Sequence, residues 1–116
     1  MFVILRATIE TRWSDATDFV GLRAVLYDVD AIADDLLAEG VVGGDCVVSF
    51  RFDPRRIRSL DSPTEAAPDL RLVIAHADGR LAFRSRVIAN ATLPAAIPAD
   101  GLPLPLELTF VESSLE

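Results

Sequence analysis

The stretch Phe19-Val20-Gly21-Leu22-Arg23-Ala24-Val25-Leu26-Tyr27-Asp28-Val29-Asp30-Ala31-Ile32-Ala33-Asp34-Asp35-Leu36-Leu37-Ala38-Glu39-Gly40 decides how this chain is read. Phe19, Leu22, Leu26, Val29, Ala33 and Leu36 recur by threes and fours, flanked by Val25, Ile32 and Leu37. That spacing predicts one long amphipathic helix. Ser14 or Asp15 offers an N-cap oxygen, Asp18 puts negative charge near the helix start, and Gly40 follows Glu39 as a left-handed cap. An alternative makes residues 22–28 a strand and restarts the helix at Asp30. The single helix is preferred because its apolar stripe runs unbroken through that point.

On either side of this stretch the pattern changes to period two, the signature of half-buried strands. Val3, Leu5, Ala7, Ile9 and Trp13 alternate with Arg6, Thr8, Glu10 and Arg12. Cys46, Val48, Phe50 and Phe52 alternate with Val47, Ser49 and Arg51, up to Asp53-Pro54. Residues 55–69 hold Pro63 and Pro68 with few apolar side chains, and predict an exposed loop. Asp78-Gly79 between two alternating segments predicts a two-residue hairpin turn, pairing Ala77 with Arg80, Ile74 with Phe83 and Arg71 with Arg86. Leu70, Leu72, Ile74, His76, Leu81, Phe83 and Val87 then share one face, and Arg71, Val73, Ala75, Ala82, Arg84 and Arg86 the other. After a proline-rich connection, Leu104, Leu106, Leu108 and Phe110 form the last strand.

The expected architecture is therefore α+β: one long helix packed against a curved, mainly antiparallel sheet of about five strands, in the order β-α-β-β-β-β. That order resembles the cystatin-like and hot-dog architectures; the resemblance lies in element order alone and implies no site residue. Residues 1–114 read as a single domain, and Leu115-Glu116 as a vector-derived remnant.

Composition narrows the function. The chain has 116 residues, with 18 acidic side chains against 11 basic ones, and a net charge of −7. All the basic residues are Arg. The acidic balance argues against general nucleic-acid binding, and no apolar run is long enough to span a membrane. A lone Cys46 excludes a disulfide framework within the chain; it reads as a buried structural thiol in a cytoplasmic protein. The short apolar start, without a preceding basic segment, is not expected to act as a signal peptide.

Few residues suggest chemistry. Ala24-Val25-Leu26-Tyr27-Asp28-Val29-Asp30 resembles the first motif of haloacid-dehalogenase-type phosphatases, which would make Asp28 a nucleophile and Asp30 the second carboxylate of the motif. The match departs at Ala31-Ile32-Ala33, and the family's phosphate-binding Lys has no counterpart in a chain without Lys. His76, the only histidine, would serve as a general base if a pocket between helix and sheet paired it with a helix Asp. Arg55, Arg56 and Arg58 form a candidate anion site. No cofactor or metal is called for, and an enzyme is not the leading reading.

Charge distribution carries more. Residues 14–39 contain seven acids and one Arg, whereas Arg6, Arg12, Arg51, Arg71, Arg84 and Arg86 occupy strand positions opposite the apolar ones, with Arg80 beside them. Glu10 and Glu107 would lie among these arginines. The favoured reading is a small interaction protein, of accessory, adaptor or immunity type. It would use Arg51, Arg71, Val73, Arg84 and Arg86 to bind an acidic protein partner or a second copy of itself.

Overall fold

The computed structural model describes residues 3–29, 35–52, 69–89 and 104–113. These form seven strands: β1 (Val3–Glu10), β2 (Arg23–Asp28), β3 (Asp35–Val41), β4 (Val47–Phe52), β5 (Leu70–Ala75), β6 (Leu81–Arg84) and β7 (Leu104–Val111). A three-stranded sheet, β4-β1-β7, faces a four-stranded sheet, β3-β2-β5-β6. Neighbouring strands are antiparallel except β1 and β7, which run parallel. Leu5, Ala7, Val48, Phe50 and Phe110 from one sheet share a buried core with Ala24, Leu26, Leu72, Ile74 and Phe83 from the other.

The long helix is absent, so the α+β expectation gives way to an all-β sandwich. Among the described residues the one helical segment is a 3-10 turn, Ala16–Phe19, whose N-cap Asp15 accepts the Thr17 backbone N–H. Residues 23–28 and 35–39 of the expected helix lie in strands, β2 and β3. Ala24, Val25 and Leu26 are buried consecutively. Successive helix residues diverge by about 100°, so one buried helix face cannot hold three in a row, whereas a strand flanked on each side, as β2 is by β3 and β5, can. Gly21 breaks the chain before β2 with a φ of +85°. Gly40 is no cap: it lies within β3, opposite Ala24. The alternative reading was right about the strand at residues 22–28. It was wrong to restart a helix beyond it, since β3 occupies residues 35–41.

The two sheets join at their edges. Beyond β6, Ser85 pairs with Glu112 beyond β7; the Arg86 N–H donates to Val111 O, and the Ser113 N–H to Arg84 O. On the other side Gly40 permits close approach of β3 to β4, because a Cβ there would lie 3.0 Å from Val48 Cγ1 and 3.2 Å from Ser49 O.

The hairpin also differs from expectation. The His76 N–H donates to Arg80 O and the Gly79 N–H to His76 O, so the loop has three residues, with Gly79 at φ +89°. This is a turn closed by a left-handed glycine rather than a two-residue turn. Ala77 and Arg80 therefore do not pair. A register shift follows between Ile74 and Ala75, which restores the expected pairing of Ile74 with Phe83. The same shift leaves Leu81 49% exposed instead of in the core.

Candidate functional site: the outer face of the four-stranded sheet

Register fixes what this face presents. Ala24, Ile74 and Phe83 point inward in one row, and Leu26 and Leu72 in another. The intervening rows therefore face outward. One runs Glu39–Val25–Val73–Arg84 across β3, β2, β5 and β6. On one side of it lies Val41–Arg23–Ala75–Leu81, and on the other Leu36–Tyr27–Arg71. The result is a mainly apolar surface with three arginines and one glutamate. Val41 at 62% and Leu36 at 41% exposure stand out among its apolar side chains.

The arginines differ in their surroundings. Arg23 donates to Glu39 in an exposed ion pair that raises the guanidinium pKa above its ordinary value. Arg71 is half-buried, and its Nε donates to Ser85 O at 3.2 Å. Arg84, also half-buried, has an Nε that is shielded from solvent and makes no hydrogen bond. Among the described residues, neither Arg71 nor Arg84 forms an ion pair with a carboxylate. They are diagonal neighbours on adjacent strands, the distance at which long side chains still interact.

The five residues expected to form one patch are thus divided. Arg71, Val73 and Arg84 share this face. Arg51 lies on β4, in the other sheet, opposite Ile4. Arg6 occupies that second sheet as well, 3.5 Å from Glu107, the interleaving of charge anticipated from alternation. Arg86 follows β6, where its backbone turns to β7, so it does not face Arg71. Arg80 is held at the hairpin by Asp78, whose carboxyl is kept below its ordinary range by hydrogen bonds from the Arg80 backbone and side chain. Tyr27, Val25 and Glu39 belong to the face but lie within the expected helix, and Val41 just beyond its cap; the β-favouring residues Val25 and Tyr27 are the available signal.

His76 lies beside one corner of the face, in an open groove of about 300 Å³ lined also by Gly21, Leu22, Arg23 and Gly79. Among the described residues no carboxylate lines it. Asp28 is buried at the opposite end of β2, paired with Leu70, whereas Arg23 at the groove pairs with Ala75. The expected helix–sheet pocket joining His76 to a helix Asp is therefore not formed among the described residues, because the chain expected to supply that helix forms strands β2 and β3. Asp30, the Arg55–Arg56–Arg58 cluster, residues 55–68 of the expected loop and Leu115-Glu116 lie outside the described residues.

Away from the face, Glu112 organises the end of β1. It is only 6% exposed, and its Oε1 accepts the backbone N–H groups of Arg12, Trp13 and Ser14 at 2.9, 3.0 and 3.1 Å. The Ser14 hydroxyl donates to Oε2 at 2.6 Å. Burial opposes the charge, but these four donors outweigh it and lower the pKa to about 2. By turning the chain there, they leave Trp13 65% exposed rather than in the core. Cys46, expected to be buried, is half-buried at a φ of +62° in the turn before β4.

No family model and no curated protein matches the chain. Among solved structures it is similar to a 9R-lipoxygenase from Cyanothece PCC8801, with a TM-score of 0.53 and 15% identity. The alignment covers 95% of this chain but only 16% of that one. The likeness concerns the fold alone. No helix among the described residues is long and apolar enough to cross a membrane.

Proposed function

We propose that the chain is a non-enzymatic interaction protein of the cytoplasm that uses the outer face of the four-stranded sheet to hold an acidic protein surface. One observation carries this reading: Arg71 and Arg84 sit side by side around Val73, without a carboxylate partner among the described residues, on a chain of net charge −7. Elsewhere on the molecule Arg6, Arg23 and Arg80 each have an acid. An arriving carboxylate would give the Arg84 guanidinium an acidic partner, and charged hydrogen bonds of this kind are among the stronger ones. Val73, Ala75 and Tyr27 supply apolar area between the charges, which suits an interface in which a few Arg and aromatic anchors dominate.

The groove at His76 supports a second reading, a small-molecule site, through its volume and the Arg23 guanidinium at its wall. Binding of a labelled Glu-rich peptide, followed by fluorescence anisotropy, tests the first. The native chain should bind it more tightly than a Lys-rich peptide. The Arg71→Glu, Arg84→Glu double variant should keep its circular dichroism spectrum and lose the Glu-rich peptide. Equal binding by native and variant proteins overturns the proposal.

A further inference from the structure

The three rows of this face have a property beyond their net charge: they are complementary to themselves. We propose that the partner they fit best is a second copy of the chain, seated face to face about a two-fold axis parallel to the strands. This rests on the interaction reading above and names its occupant.

Such an axis places β3 over the partner's β6 and β2 over the partner's β5, with each row kept over itself. In the row Glu39–Val25–Val73–Arg84, Glu39 then meets Arg84 of the second copy, while Val25, already buried within the chain, lies beneath the contact. In the row Val41–Arg23–Ala75–Leu81, the exposed Val41 meets the exposed Leu81, and Arg23 meets Ala75 rather than another cation. In the row Leu36–Tyr27–Arg71, the Tyr27 ring lies over the Arg71 guanidinium, a cation–π arrangement. Each of these contacts occurs twice, and none sets like charge on like charge. Arg84, which has no carboxylate partner among the described residues, gains one.

Sheet twist does not undo this match. Face-packed sheets cross at about 30°, and the outer strands of a four-stranded sheet stand about 7 Å from its midline. Glu39 and Arg84 are therefore displaced by about 4 Å, within the reach of both side chains. Alternating sheet rows offer a second copy either matching or opposing charge. Here the outer ones match.

Charge exchange tests the pairing directly. In sedimentation velocity the native chain should form a dimer. Glu39→Arg alone and Arg84→Glu alone should each weaken it by about tenfold or more. The Glu39→Arg, Arg84→Glu double variant should recover it, since the pair is reversed but kept. Leu81→Asp, a change at an exposed position, should also dissociate it and serves if a charge variant fails to fold. A native chain that remains monomeric up to about 1 mM, the weak end of specific association, overturns the dimer, as does a double variant no better than the singles. The peptide experiment is run on the same proteins. A monomer that still binds the Glu-rich peptide rejects the dimer alone, and one that binds neither rejects both readings.

Discussion

Glu112 holds Ser14 twice: the backbone N–H of Ser14 donates to Oε1 at 3.1 Å and its hydroxyl to Oε2 at 2.6 Å. With the Arg12 and Trp13 amides on the same Oε1, a buried carboxylate fixes the chain where β1 ends and the connection to β2 begins. The Glu112 N–H donates in turn to Glu10 O, tying that clamp to the parallel β1–β7 pair.

This clamp has a pH signature. The folded pKa of Glu112, about 2, lies below the ordinary glutamate value, so the folded state binds its proton less readily than the unfolded state. The stabilisation is complete above about pH 4.5 and is lost as pH falls towards 2. A depression of this size corresponds to about 3 kcal/mol. Glu112→Gln should therefore lower unfolding free energy at pH 7 by about 2–3 kcal/mol, with the gap to the native chain closing towards pH 2. Urea denaturation across that range checks it, and a gap independent of pH would contradict the assignment.

Two glycines should respond for different reasons. A Cβ on Gly40 would press on Val48 Cγ1 and Ser49 O across the β3–β4 edge, so Gly40→Ala should cost about 1–3 kcal/mol through packing. Gly79 has open space around it but a φ of +89°. Gly79→Ala should cost about 1 kcal/mol through backbone conformation alone. Gly79→Asn should recover part of that loss, because Asn tolerates left-handed geometry, whereas Gly40→Asn should be worse than Gly40→Ala. Thermal melts of the four variants separate the two mechanisms.

The legible parts of the fold were those with one buried face. In β1, Leu5, Ala7 and Ile9 are buried and Arg6, Thr8 and Glu10 exposed, so period two was explicit; Val48, Phe50 and Phe52 repeat the pattern in β4. The pairing of Ile74 with Phe83 was also recovered, although through two cancelling departures, a longer loop and a register shift. The stretch from Phe19 to Gly40 failed because β2 is central. With Val25 buried on the face opposite Ala24 and Leu26, alternation disappears, and the remaining apolar residues imitate a helical spacing. Alternation likewise tells which face of a sheet a residue occupies, but not which of two sheets. Hence Arg71, Val73 and Arg84 were placed together from the hairpin, while Arg51 was joined to them without being near.

Ser85 offers a test that connects the core to the binding face. The residue is fully buried and stands where the β5–β6 ladder gives way to the β7 edge. Its N–H donates to Leu72 O at 2.9 Å, and its Oγ accepts the Leu72 N–H at 2.9 Å while donating to Arg86 O at 2.8 Å. A side chain thus replaces a backbone acceptor, and the bond it completes lies one residue from Arg71. Ser85→Ala keeps the backbone but leaves the Leu72 N–H buried without an acceptor, which should cost about 1–3 kcal/mol. Ser85→Cys retains only a weak acceptor and should fall between the two. The specific expectation is local: amide hydrogen exchange of Leu72 should accelerate in Ser85→Ala more than that of Ile74, whose ladder is untouched. If the two amides accelerate equally, Ser85 acts only through global stability. If Leu72 leads, weaker peptide binding should follow, because the Arg71 Nε depends on the position of the Ser85 carbonyl.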